Sequence, residues 1–177
     1  MININIYKTK KVKTPEYGTK ESAGIDFFVP DDYNKKQEKL LYPNCSELIE
    51  SGIKLSIPKG YMLCAFNKSG VSLKQGLQVG AQIIDSDYQG EIHLHVINIS
   101  KNYTKIIPGQ KLVQFVLLKT PEVYINKVKK EQYLFNNISE RAEGAFGSTG
   151  LYKNINKPDF LTSKKEIQSF NKKNKII

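Results

Sequence analysis

An all-β sandwich or barrel is the fold that the sequence predicts, on three observations. Short apolar runs rich in Ile, Val, Leu and Phe recur along the chain. Gly, Pro, Asn or Asp bounds most of them, and their close spacing argues against alternating helices and strands. The opening MININIYKTK sets Ile2, Ile4 and Ile6 against Asn3 and Asn5, the period of two expected of a strand. GIDFFVP (24–30), GIKLSIP (52–58), YMLCAF (61–66), EIHLHVINI (91–99) and KLVQFVLL (111–118) are the further strands. NCSELIESG (44–52) suggests instead a turn of helix, with Ser46 as its cap.

At 177 residues and 40% hydrophobic composition, the chain suits one globular domain with a core, followed by a tail. We expect the domain to span 1–150 and the tail 151–177. The tail holds seven Lys against Asp159 and Glu166, a net of +5, which is half of the formal charge of +10. Such ends can contact nucleic acid or a protein partner, but a solvated end is the ordinary reading. No apolar run approaches the roughly 20 residues of a membrane span, and the start lacks a signal-peptide core. The expectation is a soluble, intracellular protein, cytoplasmic or nuclear. Cys45 and Cys64 form neither a disulfide framework nor a metal-ligand spacing. His93 and His95 share one strand face, too few ligands for a metal site.

Five stretches have the small, polar and bendable residues that a phosphate site needs. ESAGIDFF puts Asp26 just after Gly24, at the start of a strand. NKSGVS (67–72) offers Lys68, the Ser69 hydroxyl and Gly70 in one turn: a cation, a donor and close backbone approach. VGAQIIDSDYQGEI (79–92) places Asp85, Asp87 and Glu91 in a tight turn between apolar strands, which holds a carboxylate at a defined point. PGQKLVQF (108–115) places the Gln114 amide inside an apolar strand, where it needs a partner. RAEGAFGSTG (141–150) joins Arg141, the chain's one arginine, to Phe146, Ser148 and Thr149 among glycines. A guanidinium fork suits phosphate oxygens better than an ammonium does.

In this order, SAGIDFF, NKSGVS, VGAQIIDSDYQGEI, PGQKLVQF and RAEGAFGSTG resemble the five motifs of the trimeric dUTPase family. The resemblance implies a distorted jelly-roll or β-barrel subunit and a homotrimer with active sites at subunit interfaces. It also implies hydrolysis of dUTP to dUMP and pyrophosphate with Mg2+, which keeps uracil out of DNA and supplies dUMP. Carried over by position, Asp85 is similar to the general base that activates water for attack on the α-phosphorus. Tyr88 resembles the ring that stacks under the deoxyribose and excludes a 2'-hydroxyl. Val79, Gln82, Ile83, Ile84 and His93 fall on the hairpin whose main chain reads uracil. Lys68, Ser69, Gly70 and Gln114 resemble phosphate contacts, and Asp26 the carboxylate that holds Mg2+ through water. Arg141, Phe146, Gly147 and Ser148 resemble an arm, about 140–150, that closes over the nucleotide. Asp87 and Glu91 are read as fixing the turn.

Several positions depart from the family pattern. Asn67 and Lys68 stand for the usual Pro and Arg, Lys111 for an Arg, Gln82 for a Gly, and Ala142 and Ala145 for glycines of the arm. The stretch after the first motif, DDYNKKQEKLLYPNCSE, is long for the family. Two alternatives stay open at this point: a dCTP deaminase-like enzyme of the same fold, and a dUTP-responsive regulatory binding protein.

Overall fold

The computed structural model describes residues 2–34, 39–135, 137, 139, 142 and 143. By its contacts the chain divides into two units, 1–124 and 125–177. Among its described residues the first holds twelve strands and one short helix, and these strands all pair antiparallel. The expected all-β class holds. Among the described residues no helix is long and apolar enough to cross a membrane.

The largest sheet runs in the order β2 (Glu16–Tyr17), β3 (Ile25–Phe28), β12 (Lys111–Lys119), β7 (Tyr61–Asn67) and β9 (Ile83–Ile84). A second sheet orders β5 (Ser46–Glu50), β10 (His93–Asn98) and β8 (Leu77–Val79). Two ribbons complete the unit. One pairs β1 (Ile6–Lys8) with β6 (Ile53–Leu55), the other β4 (Leu40–Leu41) with β11 (Thr104–Lys105). Phe27, Leu63, Ala65, Val113 and Phe115 of the large sheet join Ile49, Leu77, Leu94 and Val96 of the second in one buried cluster. A strand with one face on the core and one toward solvent contributes alternate residues to it. In β10 the alternation is complete: Leu94, Val96 and Asn98 are buried, and His93, His95 and Ile97 partly exposed.

Three local expectations change. SELIE is not a helical turn with a Ser46 cap but strand β5, pairing with β10 from Ser46↔Ile97 to Glu50↔His93. Its exposure alternates with Ile49 buried, so ladder pairing outweighs a local cap signal. NKSGVS is not a bare turn: β7 ends at Asn67, and α1 (Ser69–Gln75) follows, stopped by Gly76 at φ 64°. At the N-terminus the strand is Ile6–Lys8, shorter than the Ile-Asn alternation. The alternation still holds in space, since Ile2, Ile4 and Ile6 line one apolar cavity with Ile25 and Phe27.

In the second unit, the described residues include a single 3-10 turn at Glu131–Tyr133. Ala142 has φ 42°, a left-handed conformation that favours glycine.

Candidate functional site

Two groups of candidate residues are brought together by the structure, both in the first unit. The first is a cavity of about 240 Å3 beside the turn that follows β9. Ile83, Ile84, Asp85, Tyr88 and His93, all singled out by sequence, line it. Ala81, Ile92 and Phe115 line it too, and sequence reasoning missed them. Phe115 follows Gln114 directly, and the period of two that puts one on the core face puts the other on the opposite face.

The turn itself is braced. The Tyr88 amide donates to the Asp85 carbonyl (3.2 Å), closing the turn under the carboxylate. The Tyr88 hydroxyl donates to the Glu91 carbonyl (3.0 Å), which pins the far end of the ring. A Cβ on Gly90 would sit 2.3 Å from that hydroxyl, so the ring can lie there only against glycine. Glu91 in turn accepts from the Gly52 amide (2.6 Å) and the Thr9 hydroxyl (2.8 Å), fastening the turn to the β1–β6 ribbon. This matches the reading of Glu91 as a structural carboxylate. Asp87 is exposed, and Asp85 is exposed at the cavity.

The hairpin before it is held through its own main-chain groups. The Ala65 amide donates to the Gln82 carbonyl (2.7 Å), the Gly80 amide to the His95 carbonyl (3.0 Å), and the Ala81 amide to His95 Nδ1 (2.9 Å). Gln82 itself does not adopt a positive φ, so the residue standing for glycine is not strained there. Val79 is placed by its amide, which donates to Asn67 Oδ1 (2.7 Å) rather than opening to the cavity.

The second group is polar. Asp26 in β3 is buried, and its two oxygens accept from Lys68 Nζ and from Lys111 Nζ, the latter at 3.0 Å. Burial pushes the Asp26 carboxyl up, but the hydrogen bonds and charges of Lys68 and Lys111 outweigh it and hold the group below its ordinary value. The same bond to Asp26 raises Lys111. Gln114 pairs across the ladder with Asp26, and its amide donates to the Asn67 carbonyl (2.8 Å). The half-buried amide therefore finds its partner in the main chain. Gly24 makes room: a Cβ there would lie 2.4 Å from Gln114 Oε1. Ser69 and Gly70 are exposed at the first turn of α1, directly after Lys68.

Asn67 links β8, before the hairpin, to the polar group. Its side chain holds Val79 and Gln78 of β8 while its carbonyl holds Gln114. Sequence reading noted it only as a departure from Pro. The ladder register also separates the groups. Gln114 pairs with Asp26 and Phe66, whereas Phe115 pairs with Ile25 and Ala65. Asp26 and Gln114 thus project from one face of the large sheet, and Phe115, with the cavity it lines, belongs to the other. Arg141, Phe146, Gly147 and Ser148 lie outside the described residues.

A sequence model of the dUTPase family matches residues 10–150. The deoxyuridine 5'-triphosphate nucleotidohydrolase of Thermoanaerobacter sp. (strain X514) is 33% identical over 157 residues, covering 85% of this chain and 99% of its own. That of Fowlpox virus (strain NVSL) is 32% identical over 152 residues, with 85% and 99% coverage. Among solved structures, the dUTPase of Staphylococcus bacteriophage 80alpha with dUpNHpp has a TM-score of 0.72 at 23% identity, covering 85% of this chain and all of its own. A mutant dUTPase of phage phi11 of S. aureus, described with a structural Mg(II) ion, has a TM-score of 0.63 at 22% identity, with 73% and 98% coverage. These two likenesses bear on fold. With a family match across most of its length and relatives above 30% identity, the chain belongs to the dUTPase family.

Proposed function

We propose that this chain hydrolyses dUTP to dUMP and pyrophosphate, with Asp85 as the base that takes a proton from water attacking the α-phosphorus. The observation that carries the assignment is the cavity in which the exposed Asp85 meets Tyr88, Ala81, Ile83 and Ile84. A base must reach its water within hydrogen-bond distance, and the Asp85–Tyr88 turn fixes where that carboxylate stands. Uracil would be read by the backbone of the hairpin, and the pinned Tyr88 ring would exclude a 2'-hydroxyl by volume. Lys68, Ser69, Gly70 and Gln114 are assigned to the phosphates, with Arg141, Phe146, Gly147 and Ser148 closing over them.

Asp26 is the carboxylate we assign to Mg2+, through water. Its oxygens already carry two ammonium partners, and among the described residues no group of three or more His, Cys, Asp or Glu could hold an ion. This donor set fits an ion that arrives on the triphosphate and keeps its waters, not one caged by protein. Bound so, Mg2+ supplies charge to the phosphate oxygens.

The proposed assembly is a homotrimer whose sites are shared between subunits. It is supported by the register of the large sheet, which turns Asp26 and Gln114 away from the face that carries Phe115 and the base cavity. One protomer would supply the cavity and a neighbour the phosphate contacts.

The test is pyrophosphate release with Mg2+ from dUTP, dTTP, dCTP and UTP, by wild type and Asp85→Asn side by side. Release from dUTP alone, reduced at least 100-fold in the variant, is expected for loss of a positioned base. Ammonia from dCTP would point to the deaminase instead. Absence of turnover by a folded protein that still binds dUTP would point to a regulator.

A further inference from the structure

We propose that His95 is a positioning residue for the nucleobase hairpin, and that its imidazole makes dUTP affinity depend on pH. The inference rests on reading residues 79–84 as the uracil-binding main chain. His95 lies on β10, outside that segment, and does not line the cavity. Its ring is nevertheless the surface on which the hairpin rests.

Three contacts define the arrangement. The Ala81 amide donates to His95 Nδ1 (2.9 Å), and Ala81 lines the cavity beside Asp85. The Gly80 amide donates to the His95 carbonyl (3.0 Å), so main chain and side chain of one residue hold two successive amides. A Cβ on Gly80 would fall 2.2 Å from Nδ1 and 2.4 Å from Cε1, which means the backbone crosses directly against the ring. Glycine there is required by the imidazole and not by backbone angle, because Gly80 is not among the glycines of positive φ.

An Nδ1 that accepts a hydrogen bond carries no proton, so the hairpin is held by the tautomer protonated at Nε2. Protonation of the ring would place an N–H donor against the Ala81 N–H. The bond would be lost and the two donors would repel, freeing the backbone that is to read uracil. The groups facing His95 are few. On its own strand His93 shares its face, and across the ladder β5 sets Leu48 opposite it and Glu50 opposite His93. Glu50 is ion-paired with Lys10. From the β8 side come Gln78, Val79, Gly80 and Ala81, none of them charged.

The test compares wild type with His95→Asn and His95→Val, measuring KM and kcat for dUTP from pH 5.5 to 8.5. Asn presents a non-titrating oxygen near the place of Nδ1, whereas Val has no acceptor. For wild type, KM should be about five-fold higher at pH 5.5 than at pH 8.5, the size of one lost hydrogen bond. His95→Asn should keep the low KM with a flat profile, and His95→Val should show the raised KM at every pH. In all three, kcat should move less than KM does. Nitrogen-15 NMR of the histidine-labelled protein at pH 7.5 should show an unprotonated Nδ1 at His95.

Coincident KM profiles for wild type and His95→Asn, or a protonated Nδ1 at pH 7.5, would overturn the proposal while leaving dUTP hydrolysis intact. If His95→Val does not fold, the Asn comparison and the NMR signal still decide. Wild type that releases pyrophosphate from no nucleotide would instead overturn the site reading, and this inference with it.

Discussion

Asp26 concentrates the electrostatics of the molecule on one side chain. It is buried, yet held below the ordinary carboxyl value of 3.8, because two lysines more than offset its burial. A carboxyl lower in the folded than the unfolded state stabilises the fold above its unfolded value, about pH 4. That contribution is lost as pH falls through the lower folded value. Asp26→Asn should therefore cost about 2 kcal/mol at pH 7, a buried pair discounted for lysines that water reaches. Its stability should then fall less than that of wild type between pH 5 and 2.5. Urea unfolding at both ends of this range measures it, and parallel losses would mean that the pair does not stabilise. Ala142 offers a second case. At φ 42° it occupies a conformation that costs an alanine more than a glycine. The alanine thus stands in a conformation that a glycine would hold with less strain.

Elements matter here chiefly through what their edges hold. Strand β12 carries Gln114 on one face and Phe115 on the other, so one strand serves both groups of site residues. Gly24, at the mouth of β3, keeps the Gln114 amide on the Asn67 carbonyl. Gly24→Ala would drive a methyl into that amide. We expect a stability loss of about 1–3 kcal/mol from overpacking. A fall in kcat/KM of at least ten-fold should accompany it if Gln114 meets phosphate. A folded variant with wild-type kcat/KM would remove Gln114 from the site. Lys111 sits at the bulged start of the same strand, between Asp26, Glu16 (3.6 Å) and the Phe28 ring (5.6 Å). A guanidinium in its place could not slide among three partners so easily, which gives the Lys-for-Arg departure a local sense.

At the scale of the whole molecule, the proposed shared site makes a quantitative prediction. Asp85→Asn and Lys68→Ala subunits should each be nearly inactive alone. Unfolded together in equal amounts and refolded, they should form some interfaces in which one subunit brings an intact Asp85 and its neighbour an intact Lys68. Random mixing makes about a quarter of interfaces intact, so roughly a quarter of wild-type activity should return. If activity stays at the sum of the two variants, each protomer completes its own site.

Much of this was legible before any coordinates. Alternating apolar residues marked most strands, because a strand with one wet face must write its period of two into the sequence. The turn around Asp85 was legible for a similar reason: Gly90 and Tyr88 contact each other within three residues. The errors fell where local signals were weak or contradicted by distant ones. SELIE became a strand because β10 lies beside it, and NKSGVS opened a helix that buries no residue. Composition and motif order determined the class of fold and the family. Only tertiary structure decided that Phe115 and Ala81 line the cavity, that Asn67 ties β8 to Gln114, and that His95 supports a hairpin fourteen residues away. Those contacts join residues far apart in the chain, and a one-dimensional pattern carries the period of a strand but not the identity of its neighbour.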